Sequence, residues 1–302
     1  MDSALTTVGL PAALAVVMLG LGLSLTLGDF ARVARRPVAV VAALVTQLVV
    51  LPVICFGLVI AAGLDPLLAV GTMLLAASPG GTTANLFSHL FRGDVALNIT
   101  LTAVNSVIAV ITLPVVVNLS LAYFRPVVEV GLGLDLSKTA QVFAVVLVPV
   151  VIGMLIRRAS PTFADRADRP VRILSAVVLV VVIVGALLGE RENLGEYLAA
   201  IGLVAVAFCL ISLTLGYLVP RLLRVGHPQA MASAFEVGIH NSTLAIAVAV
   251  SVLQTERLAV PAAVYGVLMF PLAVGAGVLL RRLAPRAPSV PDDEVGSSRT
   301  RS

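Results

Sequence analysis

Charge is what this sequence has least of. Only 12% of its 302 residues are Asp, Glu, Lys or Arg, against roughly 25% in an average soluble domain. A water-soluble core cannot absorb that imbalance, which excludes an ordinary soluble enzyme. Cysteine is nearly absent: Cys55 and Cys209 both lie inside apolar runs, where a thiol behaves as a small hydrophobe. Neither a disulfide nor a metal site is expected from them. The sequence contains no His-Glu-x-x-His and no Gly-x-Ser-x-Gly, the usual marks of metal-dependent and serine hydrolases. We therefore expect no enzyme and no cofactor. No low-complexity linker interrupts the chain, and only 284–302, with its Pro, Asp, Glu, Ser and Arg, reads as a disordered cytoplasmic tail.

What the chain has in excess is apolar sequence. Hydrophobic residues make up 59% of it and the mean hydropathy is +1.09. A helix needs about 20 apolar residues to cross a bilayer, and such runs recur from Val8 to Arg281. Breaks at charges, Pro and Gly divide them into nine candidate spans, near 8–27, 37–63, 66–90, 95–123, 138–157, 171–189, 197–223, 229–252 and 259–282. The expected fold is an all-α polytopic membrane protein, one transmembrane domain over 1–283. Alternating sides along these spans puts only Arg125, Lys138, Arg191 and Arg257 on one face, and the other sixteen of twenty basic residues on the opposite one. Positive charge is retained in the cytoplasm, so the N-terminus is expected outside and the C-terminus inside, in a cell (cytoplasmic) membrane. The first span lacks a preceding basic residue and a cleavage site and is expected to be retained. The scattered Arg residues form no single patch of the kind that binds nucleic acid.

Two spans are interrupted near their middles: the third by Ser78-Pro79-Gly80-Gly81-Thr82-Thr83-Ala84-Asn85, the eighth by Glu236-Val237-Gly238-Ile239-His240-Asn241-Ser242. The two lie five spans apart in order, an odd offset, so the two breaks have opposite orientations, as in an inverted repeat. Repeat one would cover 8–123 and repeat two 138–283. Broken backbone inside a membrane is tolerated where it lines a cavity or packs on protein. A half-helix starting near Thr82–Asn85 presents the positive end of its dipole at mid-membrane and attracts an anion; the plainer reading is a proline-glycine kink. Glu236 is the one acid deep inside any span, where a carboxylate costs roughly 2.5–3.5 kcal/mol. No Lys or Arg lies deep in another span to pair with it, which points to a cation or a proton. Gln47, Asn85, Asn98 and Thr102 are the oxygen donors at hand, and Asn98 and Thr102, four apart, share a helix face. Taken singly, Gln47, Asn98, Thr102 and Asn105 read as interhelical hydrogen-bonding residues; taken together with Glu236 they make a site. His240, four residues after Glu236, is open to three roles: a donor to the substrate, a proton carrier, or a packed neutral imidazole.

The Pro-Gly-Gly break paired with the Glu-Val-Gly break, together with Phe91-Arg92-Gly93-Asp94-Val95-Ala96-Leu97-Asn98, resembles the bile acid:sodium symporter family from about the first span to the last. The resemblance implies two broken helices crossing in a core, here 37–123 and 197–283, beside a panel of 8–27 and 138–189. It implies two sodium sites sharing Glu236: one with Asn85, Asn98 and Thr102, the other with Gln47, His240 and the carbonyls of Val237 and Ile239. The substrate it implies is an organic anion, bile acid-like or a small carboxylate such as pantoate or pyruvate, held at Thr82, Thr83, Asn85, His240 and Asn241. Three departures stand out. Ala84 and Asn98 replace serines of the matched bacterial pattern, His240 replaces a glutamine, and an additional N-terminal helix is missing. The expected activity is sodium-coupled symport by alternating access, with proton coupling, and further off an anion channel, as the alternatives. Oligomeric state is not legible.

Overall fold

The computed structural model describes residues 35–126, 136–167 and 194–283, with scattered positions in 15–28 and 170–177. The candidate spans 8–27 and 171–189 and the tail 284–302 therefore fall largely or wholly outside the described residues. The helices are α1 Pro37–Ala61, α2 Pro66–Ala77, α3 Thr82–Leu90, α4 Val95–Phe124, α5 Leu136–Ala159, α6 Leu194–Leu222, α7 His227–Gly238, α8 Ser242–Ser251 and α9 Val260–Arg282, and no strand occurs among the described residues. Among the described residues, four stretches are long and apolar enough to cross a membrane: Pro37–Ala61, Val95–Phe124, Ile201–Leu222 and Glu256–Arg282. Their outer surfaces are apolar, with Val53, Leu119 and Leu203 exposed, whereas Gln47, Asn98 and Glu236 are buried. Polar residues inside and apolar ones outside are what a lipid solvent selects.

Local chemistry sets where these helices begin and end. Asp65 accepts from the Leu67 amide and Asp94 from the Leu97 amide, each at 3.0 Å, capping α2 and α4. α2 stops at Ser78, whose extended backbone (φ −72°, ψ 137°) is what a following proline favours. Within α1 the turn Thr46–Val50 widens to a π-helix, an irregularity the apolar pattern did not predict. Its cause is Pro52, which has no amide to donate to residue 48 and whose ring crowds that carbonyl. The widened turn carries Gln47.

The core is organised around the two interrupted helices. α7 packs between α6 and α4 and touches α3, while α2 packs on α4 and α9. The breaks meet directly: Gly80 and His240 form an isolated antiparallel bridge, and the Asn241 amide donates to the Pro79 carbonyl at 2.8 Å. Above the crossing, Phe235 lies 5.8 Å from Phe87 and 5.7 Å from Phe91, ring centre to ring centre. Both cysteines are free and buried.

Candidate functional site

α4 and α7 run in strict register beside the crossing. The Asp94 amide donates to the Pro228 carbonyl at 2.9 Å, Asn98 Nδ2 to the Ala232 carbonyl at 3.0 Å, and Thr102 Oγ1 to Glu236 Oε2 at 2.6 Å. Each rung lies four residues, about one turn, beyond the last. Gln229 Nε2 reinforces the first rung by donating to Asp94 Oδ2 at 3.1 Å. The capped start of α4 thus fixes the height at which Thr102 meets Glu236.

Glu236 is 1% exposed, and its second oxygen, Oε1, has no hydrogen-bond partner. Gly80 lies against this carboxylate so closely that a Cβ there would fall on it. The first break therefore reaches the acid only because residue 80 has no side chain. Asn85 Oδ1 is likewise buried without a partner. Asn98 is more occupied than its sequence position suggested: the two protons of Nδ2 are shared among the Ala84 carbonyl, Ser88 Oγ and the Ala232 carbonyl at 3.3, 2.6 and 3.0 Å, and Thr102 Oγ1 stands 3.5 Å from its Oδ1. It ties α3, α4 and α7 together while its carbonyl oxygen stays beside Thr102. Glu236, Thr102, Asn98 and the first break thus gather in one place.

The second cluster is centred on Ser78. Gln47 Nε2 lies 3.2 Å and His240 Nδ1 3.1 Å from the Ser78 carbonyl, and the two nitrogens are 3.2 Å apart. With a proton on Nδ1, both residues donate to that one carbonyl. Gln47 Oε1 and His240 Nε2 are then left as buried acceptors without a partner. The imidazole stacks on Phe208 at 5.2 Å and meets Tyr265 edge-on at 5.5 Å. Val237 and Ile239 are buried at the end of α7. The Val237 carbonyl loses the usual helical partner four residues on, because the Asn241 amide bonds to Pro79 instead. The Gly238 carbonyl is taken by Tyr265 Oη at 2.8 Å.

Among the anion-binding candidates, Thr82 and Thr83 form the first turn of α3, whose N-cap Gly81 supplies no side-chain acceptor. Asn241 instead caps α8, its Oδ1 accepting from the Leu244 amide at 3.0 Å. The described residues contain no group of three or more His, Cys, Asp or Glu side chains. One buried carboxylate with amide, hydroxyl and carbonyl oxygens suits a hard monovalent cation rather than a transition metal. Sequence reasoning placed Ser78 and Gly80 in the first break without a role in the site and did not single out Ser88; the α4–α7 register that recruits Ser88 and the collision limit at Gly80 exist only in three dimensions.

A profile described as the Sodium Bile acid symporter family matches residues 11–197. The chain is similar to the uncharacterized sodium-dependent transporter YocS of Bacillus subtilis, 29% identical over 254 residues, covering 84% of this chain and 77% of that protein. It is also similar to the probable chloroplastic sodium/metabolite cotransporter BASS1 of Arabidopsis thaliana, 31% identical over 278 residues, 90% of this chain and 67% of that protein. Sodium/bile acid cotransporter 4 of Homo sapiens is 30% identical over 266 residues, 86% of this chain and 58% of that protein.

Proposed function

The chain belongs to the sodium bile acid symporter family, and we propose that it couples the inward movement of sodium to uptake of an organic anion at the crossing of its two broken helices. The observation that carries this reading is the Glu236 carboxylate, buried with Oε1 unpartnered and facing the first break. In a low-dielectric interior such a charge calls for a cation, and among the described residues its hydrogen-bond partner is the Thr102 hydroxyl rather than a basic side chain.

Sodium sits between α4, α7 and the first break, coordinated by Glu236, Thr102, Asn85 and Asn98. Gln47, His240 and the carbonyls of Val237 and Ile239 form the second candidate site. There the Ser78 carbonyl is already occupied by two donors, and imidazole nitrogen is a poor ligand for a hard cation. The anion lies at the first turn of α3, near Thr82, Thr83 and Asn85, with His240 and Asn241 opposite. Sodium neutralises Glu236 and holds the breaks in the crossed arrangement, which presents the positive end of α3 to the anion. The two ligands then raise each other's affinity by the same factor, as linkage requires. Alternating access moves a core of 37–123 and 197–283 against a panel of 8–27 and 138–189, within nine spans related as an inverted repeat, N-terminus outside, in the cell membrane. The antiparallel bridge between Gly80 and His240, where the two breaks meet, supports the repeat. The substrate is bile acid-like or a small carboxylate such as pantoate or pyruvate; the name of the Arabidopsis relative, a metabolite cotransporter, favours the small acid.

Replacing Glu236→Gln is expected to abolish sodium-dependent uptake in proteoliposomes, and unchanged uptake would refute the assignment of the site. A screen of organic anions by thermal shift, with and without sodium, identifies the substrate, because a ligand of the folded state raises its apparent stability. One observation favours proton coupling: His240 Nε2 is buried without a partner. Uptake driven by a pH gradient in sodium-free buffer, and lost in His240→Gln, would establish that alternative.

A further inference from the structure

The largest gap in the hydrogen bonding around the crossing is a buried amide on α4. Asn105 on α4 is 1% exposed, and neither its Oδ1 nor its Nδ2 has a hydrogen-bond partner. Other amides of the same core are engaged: Asn98 Nδ2 shares its protons among three acceptors, and Gln47 donates to Ser78. A buried amide with both ends unsatisfied is rare in a native interior and calls for a physical account.

Its position supplies one. Asn98, Thr102 and Asn105 are spaced four and then three residues apart, so they lie along one stripe of α4. That stripe faces α7, since Asn98 reaches Ala232 and Thr102 reaches Glu236. Asn105 lies about one turn beyond the Thr102–Glu236 rung, level with the point where α7 ends at Gly238 and the second break begins. It stands against the Glu236 carboxylate, but without a hydrogen bond of ordinary length and angle, so Glu236 Oε1 and both amide atoms remain unpartnered together. Ala84, on α3 beside Asn98, is fully buried and contributes no side-chain oxygen.

We infer that Asn105 is a further cation ligand, its Oδ1 joining the oxygens of Glu236, Thr102 and Asn85 around the transported ion. It rests on the sodium reading above and adds a residue that neither the broken-helix motifs nor the hydrogen-bond network assigns to the site. A carboxamide suits a site that fills and empties in every cycle. Without the ion, the Nδ2 end turns to the carboxylate as a donor; with it, the Oδ1 end turns to the ion. A carboxylate at the same place would add a second buried charge, and an aliphatic side chain would serve neither state.

The test is a sodium titration of the purified full-length protein in detergent, read by thermal shift, with choline replacing sodium at constant ionic strength. Asn105→Ala and Asn105→Leu are expected to raise the half-saturating sodium concentration at least about tenfold, with Asn105→Ser, which retains an oxygen, falling in between. Asn105→Leu, close in volume, is expected to melt in choline no lower than the unsubstituted protein, which separates ion binding from packing. Unchanged half-saturation in the Ala and Leu proteins, which carry no side-chain oxygen, would make Asn105 a packing residue and overturn the inference. The unsubstituted protein is its own control: absence of any sodium-dependent shift there would remove the sodium reading itself, and the inference with it.

Discussion

The two breaks of the core look alike in outline and are made differently. The first, Ser78–Gly81 between α2 and α3, is imposed by its own residues, because Pro79 cannot donate a helical hydrogen bond and drives Ser78 to an extended conformation. The second, Ile239–Asn241 between α7 and α8, contains no proline. Its opening is held from outside, by the Asn241 amide on Pro79 and by Tyr265 Oη on the Gly238 carbonyl. Gly238 is needed there for contact rather than for backbone freedom, since an added Cβ would strike Leu213 of α6. The first break is thus a template and the second a response to it. They differ in capping too: α3 begins at Gly81 with no side-chain cap, whereas Asn241 caps α8. The amides at the start of α3 are accordingly the more open anion pole.

Substitutions break this comparison at different points, and their effects are graded. Gly80→Ala has the largest: its Cβ falls on the Glu236 carboxylate, and sodium-dependent uptake is expected to drop at least about tenfold, since small displacements of reacting or binding groups are costly. Proteoliposome uptake at saturating sodium checks it. Tyr265→Phe follows, leaving the buried Gly238 carbonyl without its strong donor. About 1–3 kcal/mol of stability should be lost, seen as a lower melting temperature, with the first break unaffected. Asn241→Ala removes the cap on α8 and costs about 1 kcal/mol by the same measurement. Gly81→Ala is the mildest. An added Cβ there meets nothing nearer than Asn241 Cγ at 4.0 Å, so uptake is retained and only about 0.5 kcal/mol is lost, as alanine is the poorer N-cap. Equal damage from Gly80→Ala and Gly81→Ala would mean that the first break matters only as a kink.

Much of the site was legible because burying polar groups in lipid is expensive enough to leave a mark in composition. Glu236, Asn85, Asn98, Thr102, Gln47 and His240 are the polar letters in apolar runs, and each is found at or beside the crossing. Less legible was what each one does there. Asn98 serves largely as a tie between three helices, and Asn241 as a cap. Asn105 had the spacing of a site residue, seven after Asn98, but a spacing cannot show that an amide is unsatisfied. Helix ends at Asp65, Asp94 and Pro79 followed from local chemistry, while the π-turn around Gln47 did not stand out, because Pro52 also reads as an ordinary member of an apolar helix.

Membrane residence, the places where two helices are interrupted and the presence of one deep carboxylate were determined by the sequence alone. Each follows from a local property: apolar run length, the missing amide of proline, the cost of a charge in hydrocarbon. The tertiary structure alone decided which break touches which, that α4 and α7 are locked in register so that Thr102 reaches Glu236, and that Gly80 sits against the acid. Such contacts join residues more than a hundred positions apart. They depend on how whole helices pack, which no single residue encodes.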